Sequence, residues 1–270
     1  LILIFLLMSL SAANIHTDTP KREKVVSIVT PYGKMMVKLY NETPQHRDNF
    51  IKLVNENFYD SLLFHRVIEN FMIQGGDPES KNAKPGKALG NGGLDYTIPA
   101  EFNPNLFHKK GVIAAAREGD NVNPEKASSS CQFYLVQGKV FTRDELLTLQ
   151  EKKIAFNKQK AVRDLLASPD QKELKKARND AQNDMNVEAL DSINLKIDSI
   201  IAPELEKYKF SEEQIEAYTT IGGTPHLDGD YTVFGEVIEG FDVIDSIAAV
   251  QTDRRDRPRT DVPFSIKKGK

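Results

Sequence analysis

The sequence is nearly empty of cysteine. Among 270 residues there is one, Cys131, so no intramolecular disulfide can form. Cys131 lies in the apolar run 130–136 with no histidine or aspartate in a recognisable relation to it, which favours a small buried residue over a nucleophile. Tryptophan is absent and the aromatics are mostly phenylalanine, 14 of them, so a Phe-rich core is expected. Neither sign of charge dominates: the net charge is −3, which leaves no basic face for nucleic acid and no acidic tail. No run is long enough to span a bilayer, which takes ~20 apolar residues, and the longest occupies residues 1–10. Ser11, Ala12 and Ala13 follow it, so the two together have the form of the apolar stretch and cleavage site of a secretory signal. Residues 1–13 are accordingly read as a truncated signal-peptide remnant and residues 14–24 as a linker. The protein is expected to be exported, to the periplasm of a Gram-negative bacterium.

Glycine is missing from one long stretch. All of the glycines lie outside residues 139–221, and residues 142–221 hold only two prolines, Pro169 and Pro203. This stretch reads as helices. Thr142 with Glu145, Ser168 with Gln171 and Ser211 with Gln214 have the spacing of capping boxes. Val187, Leu190, Ile193, Ile197, Ile200 and Ile201 form an apolar stripe at helical spacing that Pro203 ends or kinks. The helices are expected to pack on one another as an antiparallel pair.

The flanks read differently. Residues 25–29 and 35–40 are β-branched and apolar around the turn Thr30-Pro31-Tyr32-Gly33. Thr43 caps a helix with Pro44 in its first position, and Phe50, Leu53 and Val54 give that helix a buried face. A strand-like stretch runs over 63–73 and ends at Gly75-Gly76. Further short strands fall at 112–116, 132–136, 232–238 and 263–267, with a short helix at 241–248. Short strands, Gly-rich turns and two short helices indicate a closed β-barrel with helices at its openings. The division is 25–141 for the first part of the barrel, 142–221 for a helical insertion and 222–270 for the second part.

The chemistry concentrates in residues 64–78, FHRVIENFMIQGGDP. Arg66, Met72 and Gln74 stand at even offsets, which in a strand places them on one face. Phe71 joins them if the chain bends, and the turn residue Asn70 permits that. The pattern alone favours an arginine on the wet side of a barrel wall with Met72 in the core over a functional site. The run resembles the cyclophilin signature F-H-R-x-x-x-x-F-M-x-Q-G-G-D. In the same order, GVIAAARE at 111–118, SSCQFYLV at 129–136 and HLDGDYTVFGEVIEG at 226–240 are similar to further motifs of that family. The resemblance covers nearly all of the chain apart from the leader and the insertion.

The resemblance implies a mainly β fold: a closed eight-stranded antiparallel barrel with two capping helices, here carrying an inserted α-helical subdomain. It implies a peptidyl-prolyl cis–trans isomerase that needs no metal and no cofactor. The implied partners are proline-containing polypeptides, unfolded or newly exported. Arg66 would be catalytic. Phe71, Met72, Phe133 and Leu227 would line the pocket for the proline ring, with Ala116 beside it. Gln74 would hold Arg66 and touch the peptide backbone, Gln132 would also contact the peptide, and His65 would border the site. Three substrate-binding positions depart from the best-known pattern: His226 stands where many members have Trp, Tyr231 where many have His, and Arg117 where many have Asn.

Other readings are weaker. His16, His46, His65, His108 and His226 show no paired metal-ligand spacing. The glycines of 86–93 match neither G-x-G-x-x-G nor a P-loop. The rival of another class is a binding module or chaperone that holds proline segments without turnover and works through its helices.

Overall fold

A computed structural model describes residues 23–269. The leader expected at 1–13, and the expected linker up to residue 22, lie outside the described residues. The chain opens with β1 (Lys24–Thr30) and β2 (Gly33–Leu39). Thr30 Oγ1 donates to the Gly33 carbonyl and accepts from the Tyr32 N–H, which closes the turn between them. Alternation then does its work: Val26, Ile28, Met35, Val37 and Leu39 are fully buried on one face.

Helix α1 (Pro44–Asn55) follows and buries Phe50, Leu53 and Val54. Its N-terminus is not capped as the sequence suggests. The Thr43 hydroxyl is buried without a partner among the described residues. The Glu101 carboxylate instead accepts from the N–H groups of Gln45 (3.1 Å) and His46 (3.0 Å), where the positive end of the helix dipole favours an anion.

The remaining strands are β3 (Leu62–Leu63), β4 (Arg66–Ile68), β5 (Met72–Gly75), β6 (Thr97–Ile98), β7 (Val112–Ala115), β8 (Ser128–Ser129), β9 (Phe133–Val136), β10 (Val233–Glu239) and β11 (Pro263–Lys268). Of the eleven strands among the described residues, nine form one antiparallel sheet in the order β3-β11-β1-β2-β10-β7-β9-β5-β4, and β6 and β8 pair separately. This corrects the expected closed eight-stranded barrel. The sheet curls but its hydrogen-bonded ladder stays open between β3 and β4. Those two edges are halves of one bent segment: the Phe64 N–H bonds Val262 on one side and the His65 N–H bonds Gln74 on the other. A residue at the bend cannot serve both ladders, so covalent chain bridges the seam. The expected single strand over 63–73 is likewise three short ones, β4 and β5 forming a hairpin about Asn70.

The concave face is filled by strand residues together with α1 and α6 (Phe241–Ala248), whose Val243, Ile244 and Ile247 are buried there. A second apolar cluster, with Tyr40, Met72, Val112, Ala114, Tyr134 and Val136, lies on the opposite face of the same strands.

Between β9 and β10 come α2 (Arg143–Ala167), α3 (Lys172–Asn183), α4 (Val187–Leu205) and α5 (Glu212–Thr220). The capping boxes at Thr142 and Ser211 form. The one expected at Ser168 does not: Pro169–Gln171 makes a short 3₁₀ turn and α3 starts after it. Asn186, unforeseen, caps α4 by accepting from the Ala189 N–H at 3.0 Å. Pro203 sits within the last turn of α4 rather than ending it. Ala161, Ile197 and Ile201 form one small core among α2, α3 and α4, whereas Leu146, Ile215 and Tyr218 pack with Phe107 of the sheet body. Among the described residues no helix is long and apolar enough to cross a membrane, and no group of three side chains is arranged to hold a metal ion.

Candidate active site

The site stands on the convex face of β4, β5, β9 and β7. Pairing sets its layout: Arg66 lies opposite Gln74, Ile68 opposite Met72, and Gln74 opposite Tyr134. Directly opposed residues in antiparallel strands point to the same side. The hairpin therefore gathers Arg66, Gln74 and Tyr134 on one face. The even offsets seen in the sequence coincide with that pairing but do not cause it. Asn70, at φ 62° in the left-handed region, makes the reversal that brings Phe71 beside Met72.

These residues border a cleft of about 250 Å³ together with His65, Leu89, Gly90, Asn91, Ala116, Arg117, Leu227, Tyr231 and Arg255. Its floor is apolar, from Met72, Tyr134 and Leu227. Arg66 stands at one wall, about half exposed, with its Nε 3.7 Å from the Asp256 carboxylate.

Arg66 is oriented by a chain of amides. One of its terminal nitrogens donates to Gln74 Oε1 (3.3 Å), and Gln74 Nε2 donates to Gln132 Oε1 (3.0 Å). Gln132 Nε2 gives its two protons to the carbonyls of Gly90 (2.8 Å) and Gly92 (2.7 Å). Two carbonyls accept only from an N–H₂ group, so Gln132 must turn its oxygen to Gln74, and Gln74 in turn its oxygen to Arg66. The glycine loop is itself fixed. The fully buried Asp77 carboxylate accepts from the N–H groups of Glu79, Gly90 and Gly92. Arg257 donates to the carbonyls of Lys84 and Lys87, both at 3.0 Å.

His65 is almost wholly buried behind Arg66, and neither ring nitrogen has a hydrogen-bond partner among the described residues. Burial pushes its pKa down to about 4, partly opposed by the Asp77 carboxylate, so the ring is neutral at neutral pH. Arg117 packs its guanidinium over the Tyr231 ring at 4.6 Å. Its Nε donates to the Asp230 carbonyl (2.7 Å) and it pairs with Asp120 (2.7 Å). Two of the three departures from the common pattern, Arg117 and Tyr231, thus form one wall of the cleft.

Three of the sequence-derived site residues sit elsewhere. Phe133 points to the concave core, almost fully buried against Phe50, Tyr59, Phe64 and Phe264. Its neighbour Tyr134 takes the cleft position. In the run FYLV both faces are apolar, so alternation carries no phase, and only the register with β5 fixes which aromatic faces out. Gln132 lies behind Gln74 with both amide protons committed, and so does not offer them to a peptide. His226 is exposed at the rim, its ring 5.5 Å from that of Phe71. The sequence reading missed Tyr134, Leu89, Gly90, Asn91 and Arg255. The glycine cluster at 86–93 was the available signal for the loop.

The sequence profile described as cyclophilin type peptidyl-prolyl cis-trans isomerase/CLD matches residues 25–184 and 170–268. A Staphylococcus aureus protein named as a peptidyl-prolyl cis-trans isomerase is 26% identical over 249 residues, which are 92% of each chain. A Streptococcus pyogenes protein named as a bifunctional phosphatase/peptidyl-prolyl cis-trans isomerase is 29% identical over 241 residues, 88% of this chain. The chain spans only 37% of that larger protein's length. A solved cyclophilin-type isomerase of Cryptosporidium parvum superposes with a TM-score of 0.53 at 18% identity, over 92% of this chain and 98% of its own. The same parasite protein was also solved in the presence of the dipeptide Ala-Pro, and matches at 17% identity with the same TM-score.

Proposed function

Because this chain belongs to the cyclophilin-type peptidyl-prolyl cis–trans isomerases, we propose that Arg66 is the catalytic residue of its X–Pro isomerisation. Met72, Tyr134, Leu227 and Phe71 receive the proline ring, and the Gln132–Gln74 amide chain aims the guanidinium. The observation that carries this reading is the fixed direction of those amides beside an apolar cleft.

The chemistry follows from the amide bond. Its partial double-bond character gives a barrier of ~18–20 kcal/mol, and uncatalysed turnover takes tens to hundreds of seconds at about 25 °C. In the twisted transition state the prolyl nitrogen regains its lone pair. A guanidinium N–H can donate to that lone pair and withdraw it from resonance with the carbonyl. The contact is strong only in the twisted state, so it lowers the barrier rather than the ground state. Acceleration of ~10⁵-fold needs about 7 kcal/mol at ~1.4 per tenfold, within reach of one charged hydrogen bond plus a dry pocket that fixes the ring.

Residues 25–141 and 222–270 form the catalytic unit in this reading and 142–221 an accessory segment. The substrates are proline-containing stretches of unfolded or newly exported proteins, and the protein assists their folding outside the cytoplasm, in the periplasm of a Gram-negative cell. The apolar leader 1–10 followed by Ser11, Ala12 and Ala13 supports export. Fractionation of cells producing the protein tests it, and retention in the cytoplasm would refute it.

Arg66→Ala is expected to lower kcat/KM on a short X–Pro peptide on the order of 10²–10³-fold, as for other lost transition-state donors, with thermal unfolding unchanged. Arg66→Lys rescues little, because a point ammonium lacks the planar fork that Gln74 aligns. Near-normal turnover in Arg66→Lys would sink the assignment.

A further inference from the structure

Asp228 directly follows Leu227 in the loop that forms one side of the cleft, and the inserted helices hold it. Its Oδ2 accepts from the Tyr218 hydroxyl (2.6 Å) and from Gln214 Nε2 (3.3 Å), both on α5. Its carbonyl accepts from Lys153 Nζ of α2 at 2.5 Å. The same ammonium reaches Asp230 Oδ2 at 3.2 Å, and Lys126 pairs with the other oxygen of Asp230.

The remaining oxygen of Asp228 faces inward. Oδ1 accepts from the His108 backbone N–H (2.8 Å) and lies 2.9 Å from His108 Nδ1. His108 is fully buried, and its Nε2 lies 2.9 Å from the Tyr134 hydroxyl. A carboxylate opposite Nδ1 places a ring proton there, and Nε2 and the Tyr134 hydroxyl share the next hydrogen bond. Burial holds the Tyr134 hydroxyl well above the ordinary tyrosine pKa, so it stays protonated. Hydrogen bonds therefore run without a gap from α5 to the cleft floor: Tyr218 and His108 both donate to Asp228, and His108 is bonded to Tyr134. The aromatic rings repeat the connection. The His108 ring stacks on that of Tyr134 at 6.1 Å, and Tyr231 meets both edge-on.

We propose that α5 and Lys153 are a positioning device for the proline-ring subsite, acting through Asp228 and His108 on Leu227, Tyr231 and Tyr134. None of Tyr218, Gln214, Lys153 or His108 lines the cleft, so their effect reaches the substrate only through the wall and floor they hold. The loop bearing Asp228 includes Gly229 at φ 74°. Untethered, such a loop would have to be ordered at each binding event, a cost that tethering removes beforehand. A pocket ordered in advance binds ground and transition states alike, so its loss raises KM and spares kcat. The inference rests on the reading of this cleft as the prolyl site.

The test compares Tyr218→Phe with the parent, using kcat and KM on a short proline peptide and thermal unfolding. Phenylalanine keeps the ring that packs on Phe107 and removes only the hydroxyl. The expected result is a KM raised about three- to tenfold, the effect of roughly one hydrogen bond, with kcat within about twofold. Gln214→Leu is expected to shift KM the same way by less, and it keeps the test open if Tyr218→Phe does not fold. An unchanged KM in the folded variants overturns the proposal. So does a fall in kcat and unfolding temperature without a rise in KM, which would make α5 merely structural. Arg66→Ala is assayed beside them: if it retains full activity the cleft reading itself fails, whereas if it is inactive while Tyr218→Phe matches the parent, only the positioning role falls.

Discussion

At the scale of single residues, the site depends on groups that do not line the cleft. Gln132 is one. Gln132→Glu replaces the N–H₂ that faces the Gly90 and Gly92 carbonyls with an oxygen, which sets a carboxylate against two carbonyls. Its other oxygen still accepts from Gln74, but repulsion pushes the side chain off the glycine loop and shifts Gln74 and Arg66 with it. The expected outcome is a fall in kcat of about tenfold, a loss of ~1.4 kcal/mol of transition-state stabilisation, and Gln132→Asn, too short to span both contacts, should fall between that variant and the parent. Equal kcat in Gln132→Glu and parent would show that the chain does not orient Arg66. His65 carries a pH dependence. Its folded pKa of about 4 lies below the ordinary histidine value of 6.5, so the unfolded chain binds the proton more readily. Stability from this group is complete above about pH 6.5 and is lost as pH falls from there toward about 4, by on the order of 3 kcal/mol. His46 is also lowered by burial, against an opposing pull from Glu101, and adds to the same slope. Urea midpoints at pH 7.5 and pH 4.5 should therefore differ less in His65→Asn than in the parent. The same difference in both would rule out His65 as a source.

At the scale of elements, the β4–β5 hairpin decides the geometry. Asn70 occupies the left-handed region, and its N–H donates to Gln137 Oε1 at 2.6 Å. Asn70→Ala is expected to lower stability by about 1 kcal/mol through backbone strain while Asn70→Gly is nearly neutral, read from urea unfolding. If alanine and glycine behave alike, the strain is not stored there. This element also shows what was legible from sequence. Arg66, Met72, Gln74 and the turn at Asn70 could be read because polar and apolar residues alternate around a turn residue. Phe133 against Tyr134 could not, since an all-apolar strand has no phase until its partner is known. The open seam at Phe64-His65 was hidden for a related reason. Nothing in the run Leu62-Leu63-Phe64-His65-Arg66 marks where the ladder changes partner. The Thr43 cap failed because a distant carboxylate, Glu101, outcompeted a local hydroxyl, and spacing along the chain does not reveal such a competitor.

At the scale of the whole molecule, the stretch lacking glycine behaves as two things at once. Its ends meet, as a loop insertion requires: the Phe141 N–H donates to the Tyr218 carbonyl (2.9 Å), and Lys139 bridges Gly223. Glycine is needed at this crossing, because a Cβ on Gly138 would lie 2.3 Å from the Gly223 backbone. Near the ends, Leu146, Ile215 and Tyr218 share a core with Phe107, and Gln150 accepts from the Phe210 N–H at 2.7 Å. Farther out, Ala161, Ile197 and Ile201 close a separate core, joined across by the Lys158–Asp198 pair. The first turns of α2 together with α5 thus belong to the body that carries the cleft, and the outer parts of α2, α3 and α4 do not. Because α2 also packs against the 3₁₀ turn Glu206–Tyr208, a short Gly/Ser linker can replace residues 158–205. Loop closure costs little, since it grows only with the logarithm of length. That variant is expected to fold and to keep the parent's KM and kcat on a short peptide, because Lys153, Gln214, Tyr218 and the Phe107 core all remain. Replacing all of 142–221 removes the three residues that hold Asp228 and exposes Phe107, so KM should rise at least as far as in Tyr218→Phe and the unfolding temperature should drop. The decisive measurement is peptide KM in the two deletions side by side. Equal values would mean that the inner and outer parts are not distinct, and values equal to the parent's in both would mean that the cleft takes no support from either.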